Sequence, residues 1–483
     1  MPHILKKLNN QGFTCFGALV SAFLLLAFQV NGSDSRIDNE SSVSKPLPDV
    51  VIILADDLGY GDVGFHGSDI QTPNIDALAG RGLKLEQFYV APMCSPTRAG
   101  VMTGRYPIRF GMMRSVVPSY RNFGLDTNEQ MLPETMEMAG YQYRAAIGKW
   151  HLGHLQKKWL PNEQGFTHFV GCHNGAIDYF THEREGELDW HRNGESYPIE
   201  GYSTDIIADE ACKFIESVPD DEPYFLYVPF NAPHSPFQAK ASDLKKYPHR
   251  SGKKQTYAAM VDCMDQGIGK ILEIIEKRGN GNNTLVFFFS DNGGVKGVGD
   301  NGDMRGHKLT VFQGGIRVAA VAYWPKAGWV GGKTVNERMG YIDIHPTIAS
   351  IVGVDAQSER PFDGIDVSEV FSKGSRLPDR AWFTYLDQGR DRIESLAVNY
   401  DSAKFVLERP APDAVNKIST DRYLFRIAED PGESVNMVAE SIQKSRELES
   451  DIEAFLRLKS ENQIERYFVK DPNFNPPTKW QIE

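Results

Sequence analysis

Two apolar runs that end in acid constrain this chain more than any other feature. Val50-Val51-Ile52-Ile53-Leu54 leads into Asp56-Asp57, and the Thr284–Phe289 run leads into Asp291-Asn292. An unbroken apolar run of this length reads as a strand buried on both faces, the habit of parallel sheets covered by helices. Strand-like runs at Leu83–Val90, Gln142–Ile147, Tyr224–Val228 and Val318–Trp324 alternate with helical patterns. Thr72-Pro73 opens a helix, with a cap residue followed by proline at the first helical position. Residues 204–218 are helical in pattern. Met260, Val261, Met264, Ile268, Ile271, Leu272 and Ile275 share one 3.6-period face, so residues 255–278 form a long amphipathic helix. This alternation specifies an α/β fold, a large mixed, mainly parallel sheet flanked by helices.

The rhythm changes near residue 376. Short strands are expected at Arg380–Leu386, Lys404–Leu407 and Arg422–Ile427, then a charged helix at about 438–459 and a proline-containing tail. The expected organisation is a catalytic domain over 49–375 and a smaller C-terminal α+β domain with an antiparallel sheet over 376–483. At the N-terminus, Lys6 and Lys7 precede an apolar run from Phe13 to Val30, and Gly32-Ser33 follow. That pattern is a secretory signal peptide over 1–32, with a polar linker over 33–48. The rival reading is an uncleaved membrane anchor, since the run nearly reaches spanning length.

The 52 Lys+Arg against 64 Asp+Glu leave a formal charge of −12, which argues against a protein that coats nucleic acid or an anionic membrane. After signal cleavage no membrane contact is expected. Five cysteines in 483 residues are too few for a disulfide scaffold and show no zinc spacing. Cys15 leaves with the signal, and of the rest at most one disulfide is expected. Asn39-Glu40-Ser41 and Asn282-Asn283-Thr284 match the glycosylation sequon.

Ligands of parallel α/β sheets collect beyond the carboxyl ends of the strands. If the two acid-tipped strands are neighbours, Asp56, Asp57, Asp291 and Asn292 converge. Three carboxylates so close repel unless a cation joins them, and hard oxygen ligands favour Ca2+ or Mg2+. The plain alternative is turn chemistry, since both motifs run into glycine. Cations stand in similar places. Lys149 and His151 lie in Gly148-Lys149-Trp150-His151-Leu152-Gly153, His234 in Ala232-Pro233-His234-Ser235-Pro236, and Lys308 in Arg305-Gly306-His307-Lys308. Each alone is unremarkable; together at one sheet edge they suit a sulfate or phosphate.

The deciding stretch is Cys94-Ser95-Pro96-Thr97-Arg98, followed by Thr103-Gly104-Arg105. Pro96 suits a first helical turn, which puts Cys94 at a helix N-terminus, where negative charge is favoured. A thiolate nucleophile would also suit that place. This stretch resembles the signature of the formylglycine-dependent sulfatases. Asp56-Asp57-Leu58-Gly59-Tyr60-Gly61-Asp62, the Gly148–Gly153 motif, Ser290-Asp291-Asn292-Gly293-Gly294, and Gly306-His307-Lys308 with Gly314-Gly315-Ile316-Arg317 are similar to that family's other motifs, in the same order. The similarity spans about residues 49–370 and is nearest in character to the arylsulfatase B and N-acetylgalactosamine-sulfatase type.

The resemblance implies an alkaline-phosphatase-like fold and a sulfuric ester hydrolase acting on a sulfated carbohydrate. It implies that a separate maturation enzyme oxidises Cys94 to formylglycine, whose hydrate supplies the attacking oxygen. Arg98 would hold that hydrate, and Asp56, Asp57, Asp291 and Asn292 would bind Ca2+. Lys149 and Lys308 would contact sulfate oxygens. His151 would hydrogen-bond the hydrate and serve as a base, and His234 would protonate the leaving oxygen, with Lys308 as its rival or helper. The protein would be secreted or periplasmic, or lysosomal in an animal. The loop Gly171–Tyr179 could meet the sugar, and His307 could reach the pocket, while Arg305 and Arg317 read as structural. Two other readings stand beside this one: a phosphodiester or phosphonate monoester hydrolase of the same superfamily and, from another class, a catalytically silent binder of sulfated glycans.

Overall fold

Seven residues, Asp49–Ala55, form β1, and all seven are buried. The computed structural model describes residues 46–356, 360–387, 393–411, 414 and 419–482. The expected signal peptide, Cys15, the sequon at Asn39 and nearly all of the linker lie outside the described residues. From Leu47 onward the chain forms one compact unit. No helix among the described residues is long and apolar enough to cross a membrane.

Nine further strands join β1 in one sheet: β2 (Leu83–Leu85), β3 (Tyr143–Lys149), β4 (His168–Cys172), β5 (His191–Arg192), β6 (Glu195–Ser196), β7 (Tyr224–Pro229), β8 (Thr284–Ser290), β9 (Ala320–Tyr323) and β10 (Lys333–Val335). Their order is β10-β2-β9-β8-β1-β7-β3-β4-β5-β6. The centre, β8-β1-β7-β3-β4, is parallel throughout. The flanks turn antiparallel at β8–β9 and β4–β5. The mainly parallel sheet is thus the observed one.

Period-2 alternation divides β1 between two cores. Val51 and Ile53 face α1 (Pro73–Arg81), α3 (Ser203–Ser217) and α4 (Gly252–Lys277). Val50, Ile52 and Leu54 face α2 (Cys94–Thr103) and the Ile344–Val352 helix. Each fully buried Val, Ile or Leu contributes about 1.5–3 kcal/mol, so both faces of the central strands are strongly anchored.

The single strand expected over Leu83–Val90 is split. After Leu85 the chain leaves the sheet, and Phe88–Tyr89 pairs with Met339–Gly340 instead. Arg317 holds the break by donating to Glu86 O and Glu86 Oε1, at 2.8 and 2.7 Å.

A second sheet is a four-stranded antiparallel meander, β11 (Trp382–Leu386), β12 (Ile393–Asn399), β13 (Lys404–Pro410) and β14 (Asp421–Phe425). Helix α5 (Ile442–Leu456) packs on it, and Trp382, Leu396 and Ile452 join the core beneath α2. Strand β12 is not anticipated from sequence because Glu394 and Ser395 interrupt its apolar pattern. Glu394 is nonetheless buried, accepting from Tyr385 OH at 2.8 Å and Arg409 Nε at 3.0 Å.

Candidate active site

In the parallel pair β1–β8, Ala55 stands opposite Ser290, so the residues that follow emerge side by side. The Asp57 backbone, in the left-handed region at φ 73°, donates to Asp291 Oδ1 at 3.2 Å. Asn292 Nδ2 donates to Asp57 Oδ1 at 2.8 Å. Asp56, Asp57, Asp291 and Asn292 are all buried. A positive φ on a residue other than glycine costs of order 1 kcal/mol or more and persists where the surroundings enforce it.

Three cations and one histidine answer these acids. Arg98 puts Nε and a terminal nitrogen on Asp291 Oδ2, at 3.0 and 2.8 Å, and donates to Lys149 O at 2.8 Å. Lys149 Nζ lies 2.5 Å from Asp56 Oδ2, and Lys308 Nζ 2.6 Å from Asp57 Oδ1. His234 Nε2 is 3.7 Å from Asp57 Oδ2. Burial pushes Asp57 upward, but Lys308 and His234 outweigh it and hold its carboxyl below the usual range. Burial, then the charge of Asp56, pushes Asp291 up to about 6.

The pairing is incomplete. Asp56 Oδ1 and Asn292 Oδ1 are buried without a hydrogen-bond partner. Buried oxygens of this kind are costly, and a cation removes the cost. Three carboxylates and one amide oxygen are hard donors that fit Ca2+ or Mg2+.

Cys94 begins α2 and is 2% exposed. Its Sγ and one oxygen each of Asp56 and Asp291 lie within 4.8 Å of one another. Burial pushes the Cys94 thiol up despite Lys149 and Lys308, so a thiolate is disfavoured where it stands. The next residue couples α2 to the histidine loop: Ser95 Oγ donates to His151 O at 2.9 Å and accepts from Val117 N at 3.2 Å. His151 follows β3 with φ 61°. Its Nε2 is 3.0 Å from Val117 O, and its Nδ1 has no partner. Burial, then Lys149 and Arg98, push His151 well below the ordinary histidine value. A Cβ at Gly175 would stand 2.3 Å from the His151 ring, so only glycine fits there. Burial and Lys308 push His234 down to about 3.

Cys94, His151, His234, Lys308, Val117 and Gly175 line a cleft of about 510 Å3. Arg98, Lys149 and the acidic group stand behind Cys94. All ten residues singled out in the sequence are therefore drawn into one connected cluster.

The Sulfatase family model matches residues 48–354, more than half of the chain. The chain belongs to the sulfatase family. It is 34% identical to arylsulfatase J of Mus musculus over 383 residues, covering 77% of this chain and 63% of that protein. It is 35% identical to N-acetylgalactosamine-6-sulfatase of Homo sapiens over 365 residues, covering 70% and 68%. The chain thus matches somewhat under two thirds of arylsulfatase J. Among solved structures, Ps i-CgsB in complex with k-i-k-neocarrahexaose superposes with a TM-score of 0.79 at 30% identity, covering 87% of this chain and 95% of that one. The phosphonate monoester hydrolase of Agrobacterium radiobacter shares the fold alone, with a TM-score of 0.60 at 19% identity, covering 85% and 95%.

Other expectations fare differently in this sulfatase-family chain. Gly175 and Ala176 of the Gly171–Tyr179 loop line the cleft, whereas Cys172, His173 and Asn174 are buried behind it. His307 does not line it; its Nδ1 is 2.7 Å from Lys308 O. Arg305 stacks on Phe312 and Tyr423, at 3.9 and 4.8 Å, and Arg317 binds Glu86, so both are structural. Cys94, Cys172, Cys212 and Cys263 all stand outside any disulfide. His173, Asp189 and His191 form a second buried group of possible metal ligands. The two imidazoles stack with centroids 4.0 Å apart and planes 16° apart, so an ion between them would sit far out of both ring planes. That arrangement does not suit coordination, in which the lone pairs must converge. Sequence reasoning missed Arg184, Tyr467 and Phe468, which line the cleft from a hairpin and from the C-terminal tail.

Proposed function

We propose that this chain hydrolyses sulfuric esters of carbohydrates, releasing inorganic sulfate, with Cys94 matured to formylglycine by a separate enzyme and Ca2+ held by Asp56, Asp57, Asp291 and Asn292. The supporting observation is the seat of Cys94, buried in the wall of a cleft that carries Lys308, His151 and His234 and beside the acidic group.

A sulfate ester is a poor electrophile wrapped in repelling oxygens. Its cleavage needs positive charge around sulfur and a proton for the departing oxygen. Ca2+ would supply Lewis-acid polarisation of a sulfate oxygen. Formylglycine would supply, as its hydrate, an oxygen nucleophile and a second hydroxyl that can later expel sulfate. Lys149 and Lys308 neutralise sulfate oxygens, and Arg98 braces Asp291 while its charge faces the same space. His151, with Nδ1 unpartnered, would accept a hydrogen bond from the hydrate and is the candidate base beside it. Lys308, held above the ordinary lysine value by Asp57 despite burial, carries a proton at neutral pH. His234 gains one only when the ester's charge stands beside it, so Lys308 and His234 share the leaving-group side. The catalytic domain is assigned to 49–375 and the smaller domain to 376–483. The apolar run at Phe13–Val30 supports export, to a secreted, periplasmic or lysosomal setting.

A second reading, phosphodiester or phosphonate monoester hydrolysis, is favoured by the shared fold and by His234 reaching Asp57, since a histidine beside the acids suits a transition metal. Parallel assays of matured protein with an aryl sulfate, an aryl phosphodiester and an aryl phosphonate, each with Ca2+ or Mn2+, decide between them. Sulfate-ester turnover dominant with Ca2+ is expected; dominance of either phosphorus ester would overturn the reading.

A further inference from the structure

One charged side chain lines the cleft with no part in the chemistry above. Arg184 ends the short strand Glu183–Arg184, which pairs with Glu187–Leu188. Between them, Glu185 and Gly186 have φ of 52° and 83°. Two consecutive positive φ values make the two-residue turn whose twist matches a hairpin, so the tip is a stiff post. The C-terminal tail locks it. Buried Trp480 donates from Nε1 to Arg184 O at 2.9 Å, and Lys479 N donates to Glu187 Oε2 at 2.7 Å. On the cleft side, Glu185 Oε1 accepts from Ser119 Oγ at 2.8 Å.

The Arg184 guanidinium is under-used. It offers five N–H donors. Glu185 lies 3.3 Å away, and Nε is buried without a hydrogen-bond partner. Arg98, Lys149 and Lys308, by contrast, each have an aspartate at 2.8 Å or less. The same cleft also carries Leu309 and Phe468, 40% and 42% exposed, whose apolar faces suit the C–H face of a sugar ring. The cleft therefore has two cationic stations, one at Cys94 and one at Arg184.

We propose that Arg184 is a specificity-determining residue that binds a second anionic substituent, sulfate or carboxylate, on the saccharide whose sulfate ester is cut at Cys94. This rests on the sulfate-ester reading above. A guanidinium fork matches either oxyanion in a bidentate manner.

The test uses three matched saccharides carrying the scissile sulfate: alone, with a second sulfate, and with a carboxylate on the neighbouring sugar. The readout is kcat/KM for each dianionic substrate divided by that for the monoanionic one. Wild-type protein should prefer at least one dianionic substrate about tenfold or more at low ionic strength, less so at high salt. In Arg184→Gln that ratio should collapse towards one, and Arg184→Lys should retain part of it. The arm that responds names the group. A wild-type ratio near one, or a ratio unmoved in Arg184→Gln while all rates fall together, overturns the inference and leaves the reaction standing. No turnover of any member by matured wild-type protein overturns the proposed function and this inference with it.

Discussion

The two ends of β1 each bury acid, with opposite outcomes. At the start, Asp49 accepts from Tyr224 N at 3.2 Å and Thr284 Oγ1 at 3.3 Å, the first residues of the two flanking strands, with Arg278 Nε 3.7 Å away. One carboxylate meets one cation, and both oxygens are used. At the far end three carboxylates meet Arg98, Lys149 and Lys308, and two buried oxygens still lack partners. A buried carboxyl whose oxygens are both hydrogen-bonded ties strands together. Buried oxygens that stay unpartnered in the free protein are costly and are retained for what they bind.

The sharpest way to break this contrast is Cys94→Ala. Sulfate-ester turnover should fall by at least about three orders of magnitude while the melting temperature barely moves. Insoluble protein would instead mean that both ends of the sheet are structural. Next comes cation dependence. Added Ca2+ should raise the melting temperature of wild type and of Asp49→Asn, because only the native state binds it. The response should vanish in Asp56→Asn and Asp291→Asn; an equal response in all four proteins would erase the distinction. His234→Ala should slow alkyl sulfates about 10- to 100-fold more than activated aryl sulfates, whose leaving groups need less protonation. Equal losses on both would remove His234 from the leaving-group side.

The smallest effect belongs to the structural end. Burial pushes Asp49 up to about 6, against Arg278, from an ordinary 3.8. A carboxyl raised in the folded state favours folding fully below its unfolded value, and that contribution is lost as pH rises through about 6. Urea unfolding of wild type should therefore weaken between pH 4 and 6.5, on the order of 1–3 kcal/mol from this group, and Asp49→Asn should flatten that slope. An identical slope in both proteins would show that Asp49 does not titrate there.

The central strands were legible because burial on both faces leaves an unbroken apolar run. Val50–Leu54 and Thr284–Phe289 each extend by only a residue or so in the structure. Most of the ten candidate residues stand out in the sequence because they end or follow a sheet strand or belong to the Cys94 motif, whereas Lys308 lies in a glycine-rich loop and is drawn in by its motif. The rest depends on partners far away in sequence. Strand β12 is hidden by Glu394, whose burial makes sense only beside Arg409 and Tyr385. The hairpin bearing Arg184 is short and polar, and it is fixed by Lys479 and Trp480, almost three hundred residues later. No local pattern announces such a contact.

If the acid-tipped end of the sheet works through a chemically altered Cys94, the alteration and the activity must rise together. The direct measurement is the mass of the Cys94-containing peptide, taken on preparations matured to different extents and plotted against their sulfate release from one sulfated saccharide. Turnover should rise in proportion to the fraction converted to the aldehyde and be absent at zero conversion. Full turnover from protein whose Cys94 is an intact thiol would contradict it.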